Sequence, residues 1–219
     1  MFIMIPFIIF AMYTQNKVKR TYAKYKKINN TRGVTGEDVA NRILRKNEIY
    51  DVKVEMTGGV LSDHYDPRSK VVRLSRDNFY GTSLAALAIA AHECGHAIQH
   101  DTGYGPLNIR ATILPVANIG SQAAWPLAIA GLFFNFGFLI DIGIVLFMAA
   151  FLFQIITLPV EFNASSRAIA ILSTDHYLDQ SETNGAKKVL NAAALTYVAA
   201  AAVALGNLIR LLVLRNSRD

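Results

Sequence analysis

Cysteine occurs once in this chain, as Cys94, so no intramolecular disulfide can form and nothing in the thiol content calls for an oxidising compartment. Charge is scarce as well. Charged residues make up 17% of the 219 positions against 53% hydrophobic, and the apolar residues gather in long blocks instead of recurring periodically. That pattern excludes an ordinary soluble domain and fits a membrane protein. Internal repeats and low-complexity linkers are lacking. Histidine is rare, with five in all, yet His92, His96 and His100 fall close together in ALAIAAHECGHAIQH.

What charge there is leaves a net +6, and much of it lies in KVKRTYAKYKK, where Lys17, Lys19, Arg20, Lys24, Lys26 and Lys27 follow the apolar start MFIMIPFIIFAMY. A basic run in that place reads as a topology signal and not as a nucleic-acid patch. A secretory signal carries its positive charges before the apolar core and a small-residue cleavage site after it, and this start has neither. Residues 1–16 are therefore expected to be an uncleaved membrane anchor, with the N-terminus outside and residue 17 onward in the cytoplasm.

Residues 17–110 read as a water-facing region. Thr35 is placed to cap a helix with Glu37 and Asp38 in its first turn and Val39, Ile43 and Leu44 on one face. VKVEM, VLSDHYDPRS and KVVRLS are short strands joined by turns, with Asp66-Pro67 as a turn signal and His64 beside it. KVVRLS is either an edge along which an extended peptide could lie or an internal strand. Leu84 to His100 is helical by composition, and its apolar run before His92 is too short to cross a bilayer.

Two long apolar blocks, about 111–134 and 138–160, are separated only by Asn135-Phe136-Gly137, so residues 111–160 form a transmembrane hairpin whose ends emerge on one side. Asn118, Ser121, Gln122, Pro115 and Pro126 make the first block the weaker span. Residues 161–191 are polar and return to the water-facing region. Residues 192–219 hold a further apolar helix and a short tail; Asn207 and Arg210 leave it open whether this helix spans the membrane, packs on the domain or lies in the interface. The fold class expected is mainly α with a small β-sheet and transmembrane helices.

His92-Glu93-Cys94-Gly95-His96 has the form H-E-x-x-H. Four residues advance a helix by slightly more than one turn, so both imidazoles lie on one face and can grip one metal ion, while Glu93 is placed to take a proton from water beside it. Imidazole with carboxylate suits zinc. The longer pattern ending in a third histidine fails here, since Gln99 stands where glycine would be and Thr102 where that histidine would be. His100 is a poor ligand candidate and a better helix-end polar contact. Glu161, in VEFNASSRA just after the second span, is the better third ligand, because the hairpin returns the chain to the side it left.

HECGHAIQH, VEFNASSRAIAIL, DHYDP and LTYVAAA together resemble the YugP-like family of bacterial neutral zinc metallopeptidases over nearly the whole chain. More distantly, the chain is similar to HtpX-type heat-shock proteases and prenyl-protein proteases, in which a membrane hairpin separates H-E-x-x-H from an E-x-x-A-D helix. The resemblance implies a gluzincin-like core with one Zn2+ per chain on His92, His96 and Glu161 and with Glu93 as the catalytic base. It puts Ser165 where those families have aspartate, a group that can orient an imidazole but adds no negative charge. It implies a multi-pass protein of the bacterial inner membrane, with its active site on the cytoplasmic side, that hydrolyses peptides or proteins, membrane proteins among them, and has no nucleic-acid partner. His176, Tyr177, Tyr197 and Arg167 are candidates to steady the oxyanion. Cys94 reads as a packing residue. Two rival readings are an intramembrane protease using Asp141 and a scaffold that keeps zinc without catalysis; Glu93 argues against the second, because a structural site has no use for a base.

Overall fold

The structure is a computed structural model, and it describes residues 2–216. A short 3-10 turn, Phe2–Met4, leads into helix α1 (Ile5–Tyr25). Then come α2 (Gly36–Lys46), β1 (Lys53–Thr57), β2 (His64–Asp66), β3 (Val71–Ser75), α3 (Arg76–Phe79), α4 (Leu84–Asp101), α5 (Gly105–Phe133), α6 (Gly137–Thr174) and α7 (Gln180–Asn216). The chain divides into two units that interleave in sequence. Within the described residues, one comprises 2–15, 105–160 and 195–216, and the other 16–104 and 161–194.

The second unit is built on a core of Val39, Ile43 and Leu44 from α2, Val72 and Leu74 from β3, the alanine and leucine face of α4, Ala168 and Leu172 from α6, and Val189 and Leu190 from α7. Helix α2 starts where its sequence signal places it. The Thr35 hydroxyl accepts from the Asp38 amide at 3.1 Å while the Asp38 carboxylate accepts from the Thr35 amide at 3.0 Å, a reciprocal capping box. Ser83 caps α4 by accepting from the Ala86 amide. At its far end Gly103 takes a left-handed φ of +62°, and the amide of Tyr104 bonds to the Gln99 carbonyl at 2.9 Å, the closing bond of a Schellman turn.

The sheet has the order β1-β3-β2, with β1 parallel and β2 antiparallel to β3. KVVRLS therefore supplies the central strand: of its two readings the internal strand is the one found, and the substrate edge is not, because β1 and β2 occupy both of its sides. Its burial agrees, since Val71, Val72, Leu74 and Ser75 are all inside.

In the first unit, α5, α6 and α7 are each long and apolar enough to cross a membrane. Asn135 adopts φ +60° between α5 and α6, and the Phe136 amide reaches the Gly131 carbonyl, so a turn of three residues reverses the chain. Small residues let the two helices close. A Cβ at Gly120 would stand 2.7 Å from the Leu146 carbonyl oxygen, and one at Gly143 2.9 Å from that of Ala124. The polar groups of α7 find partners here. Arg210 lies over the Trp125 ring, 4.3 Å from its centroid, and Arg215 donates to Asp141 at 2.8 Å. Among the described helices, α1 is not one of those long and apolar enough to cross a membrane; its second half carries the basic run.

Candidate metal centre

Helix α4 presents His92 and His96 on one stripe, with ring centroids 4.7 Å apart. Helix α6 brings Glu161 to the same place. Its Oε2 lies 3.4 Å from His92 Nε2 and 3.5 Å from His96 Nε2, and the carboxylate is 2% exposed. One ligand atom from each residue falls within 4.8 Å of the others. This approach depends on Gly95, where a Cβ would stand 2.8 Å from the Ala164 carbonyl oxygen and 3.2 Å from its Cα. Alanine and glycine on facing turns thus allow α4 and α6 to cross where the three side chains meet.

A second ring of polar groups holds the imidazoles. Ser165 Oγ lies 3.2 Å from His92 Nδ1, and Gln99 Oε1 lies 2.9 Å from His96 Nδ1. Gln99 in turn donates from Nε2 to Asn163 Oδ1 at 3.0 Å, and Arg167 Nε donates to the same oxygen at 2.9 Å. With Nδ1 of each ring turned outward to these partners, the two Nε2 atoms face the Glu161 oxygen. Neutral imidazoles in that pose would aim lone pairs at a carboxylate, an arrangement that calls for a cation or a proton among the three atoms. Burial lowers the basicity of His96, but its hydrogen bond to Glu161 and the charges of Glu93 and Glu161 outweigh that and raise its pKa above the ordinary imidazole value. Two imidazoles and one carboxylate also form a donor set that fits zinc while leaving a coordination position for reactants.

Glu93 follows His92 on α4 and is buried, at 8% exposure. His100 turns away from the trio, with Nδ1 2.8 Å from the Tyr65 hydroxyl. Asp66 organises the turn after β2, accepting from the Arg68 amide at 2.9 Å and the Ser69 hydroxyl at 2.6 Å, while His64 Nδ1 lies 2.8 Å from the Ser62 carbonyl oxygen. Of the four oxyanion candidates, Tyr177 is buried in the core, His176 occupies the turn after α6 at φ +56°, Tyr197 belongs to the other unit and Arg167 is directed to Asn163. Asp141 also belongs to that other unit, in its pair with Arg215. Sequence reasoning missed Gln99 and Asn163. The available signal was spacing: Gln99 stands three residues after His96, and Asn163 four before Arg167, so each pair shares a helix face.

Comparison with known proteins agrees with this chemistry. A family model described as "Putative neutral zinc metallopeptidase" matches residues 1–216. The chain is 49% identical over 210 residues, covering 95% of its length and 93% of the relative's, to "Putative membrane protease YugP" of Bacillus subtilis (strain 168). No solved structure matches it. The three long apolar helices and this relative support association with a membrane. Matched by that model from end to end of its described residues, the chain belongs to the family so described.

Proposed function

We propose that this chain is a multi-pass membrane peptidase of gluzincin-like design, with one zinc ion held by His92, His96 and Glu161 and with Glu93 as general base. The observation that carries the reading is the convergence of three ligand atoms within 4.8 Å beside a buried glutamate on the same helix. When bound, zinc supplies Lewis acidity to a peptide carbonyl and to water. Glu93 accepts the proton of the attacking water at a carboxylate oxygen and delivers it to the departing amine nitrogen, so it ends the cycle ionised as it began. Ser165 and Gln99 hold the two imidazoles in orientation. The substrates are peptides or proteins, membrane proteins among them. The positive-inside rule, applied to the basic run from Lys17 to Lys27, puts the site on the cytoplasmic side of the bacterial inner membrane.

The test uses the full chain in liposomes. Glu93→Gln should lower peptide cleavage by about 10²–10⁴-fold while leaving roughly one zinc per chain. Comparison of new termini in membranes carrying the active or the Glu93→Gln protein would identify its substrates. Unchanged cleavage in that variant removes Glu93 from the mechanism. Zinc retention together with an absence of cleavage in the parent chain would favour a scaffold.

A further inference from the structure

Arginine cannot accept a hydrogen bond, and in this molecule that one-way property reaches a proposed metal ligand through two carboxamides. Arg167 Nε donates to Asn163, so Asn163 must present its oxygen and not its NH2 group. Gln99 approaches that same oxygen at 3.0 Å, so Gln99 must offer its NH2 there; turned the other way, two oxygens would face each other. Its own oxygen is then left for His96 Nδ1 at 2.9 Å, and an oxygen can only accept. His96 must therefore carry a proton on Nδ1, so that in the neutral ring the lone pair is on Nε2, the atom facing Glu161.

We propose that Arg167 is a positioning residue that fixes the tautomer and ring orientation of His96 through Asn163 and Gln99. The inference rests on the reading of His92, His96 and Glu161 as zinc ligands. Four features of the site support a relay over a set of separate packing contacts. Each link is of hydrogen-bond length, Gln99 is fully buried, its amide has a defined neighbour at each end, and the chain starts from a group whose polarity cannot invert. Gln99 and His96 share a face of α4, and Asn163 and Arg167 share a face of α6, so the relay also ties together the two helices that carry the ligands. A histidine held in the wrong tautomer would offer an N–H to the metal, and loss of such outer partners weakens metal binding by roughly 10–100-fold.

The measurement is zinc affinity of the full chain in detergent, by competition with a chromophoric chelator, with thermal unfolding of each metal-free variant as the check on folding. Arg167→Met keeps the stem but has no donor, and Gln99→Leu cuts the relay next to His96; each should weaken zinc about 10–100-fold. Arg167→Lys retains a donor-only group, and Asn163→Asp retains an oxygen for both neighbours, so both should stay within a few fold of the parent. The double variant Gln99→Leu with Arg167→Met should bind zinc no more weakly than Gln99→Leu alone. Unaltered affinity in Arg167→Met, or losses that add in the double variant, overturns the relay. Glu161→Gln separates the two readings. If it leaves tight zinc binding intact, the ligand assignment fails and the relay with it; if it abolishes binding while Arg167→Met does not weaken it, the relay alone fails.

Discussion

Cys94 lies between the two imidazoles in sequence and yet takes no part in their site. It is fully buried among the residues of the α2 and α4 core, and its thiol lies 3.6 Å from the Ala40 carbonyl oxygen. Burial pushes its pKa well above that of a free thiol, and the charge of Glu93 adds to the effect, so thiolate is disfavoured at neutral pH. Native protein should therefore resist alkylation by iodoacetamide at pH 8 and react only when unfolded, which mass spectrometry of the labelled chain will read. Reaction on the native timescale would restore a redox role. The contrast with His92, His96 and Glu161 explains what could be read at this scale. Imidazoles four apart and a glutamate beyond a hairpin have few alternative uses, and they could be grouped before any coordinates. Gln99 and Asn163 could not, because a carboxamide donates and accepts equally well and acquires a direction only from the neighbours that packing gives it.

Among the helices, the crossing of α4 and α6 leaves no room for a side chain at Gly95. Gly95→Ala would put a methyl group 2.8 Å from backbone oxygen, and backbone cannot swing aside as a side-chain tip does. The helices must separate locally, at a cost of about 1–3 kcal/mol. We expect a lower unfolding temperature and weaker zinc binding together, measured on the same purified variant; normal zinc affinity would show that the ligands tolerate a wider crossing. The start of α2 was legible in the Thr35 signal because capping is local. Two other features were not. The polar shift at residue 161 suggested that the second span ends there, whereas α6 continues unbroken through Pro159 to Thr174. Hydropathy reports the surroundings of a segment, not its backbone. The place of β3 in the sheet depends on two earlier strands that pair along its opposite edges, one parallel and one antiparallel, and VVRLS, with Arg73 at its centre, carries no local mark of that.

At the scale of the whole molecule, the separation into an apolar helical unit and a mixed α/β unit was visible in the alternation of apolar and polar stretches. The interleaving of their segments was less so, because pairing of distant segments is decided by the core they share. The proposed topology makes a direct prediction. With Cys94 shielded, Lys53→Cys in β1 should be protected from a membrane-impermeant maleimide in intact cells and labelled after permeabilisation, whereas Phe136→Cys at the exposed hairpin turn should be labelled in both. Reversal of that pattern would put the site on the outer side.

The interleaved core also sets an order of assembly during translation. Val39, Ile43, Leu44 and the imidazole pair leave the ribosome before the hairpin, but Ala168, Leu172, Val189 and Leu190, which complete the same core, come after it. At ordinary elongation speeds the delay between His96 and Glu161 is on the order of several seconds. A nascent chain stalled within the hairpin therefore has both histidines but not Glu161, so under the proposed function the site is complete only once synthesis has passed the whole hairpin.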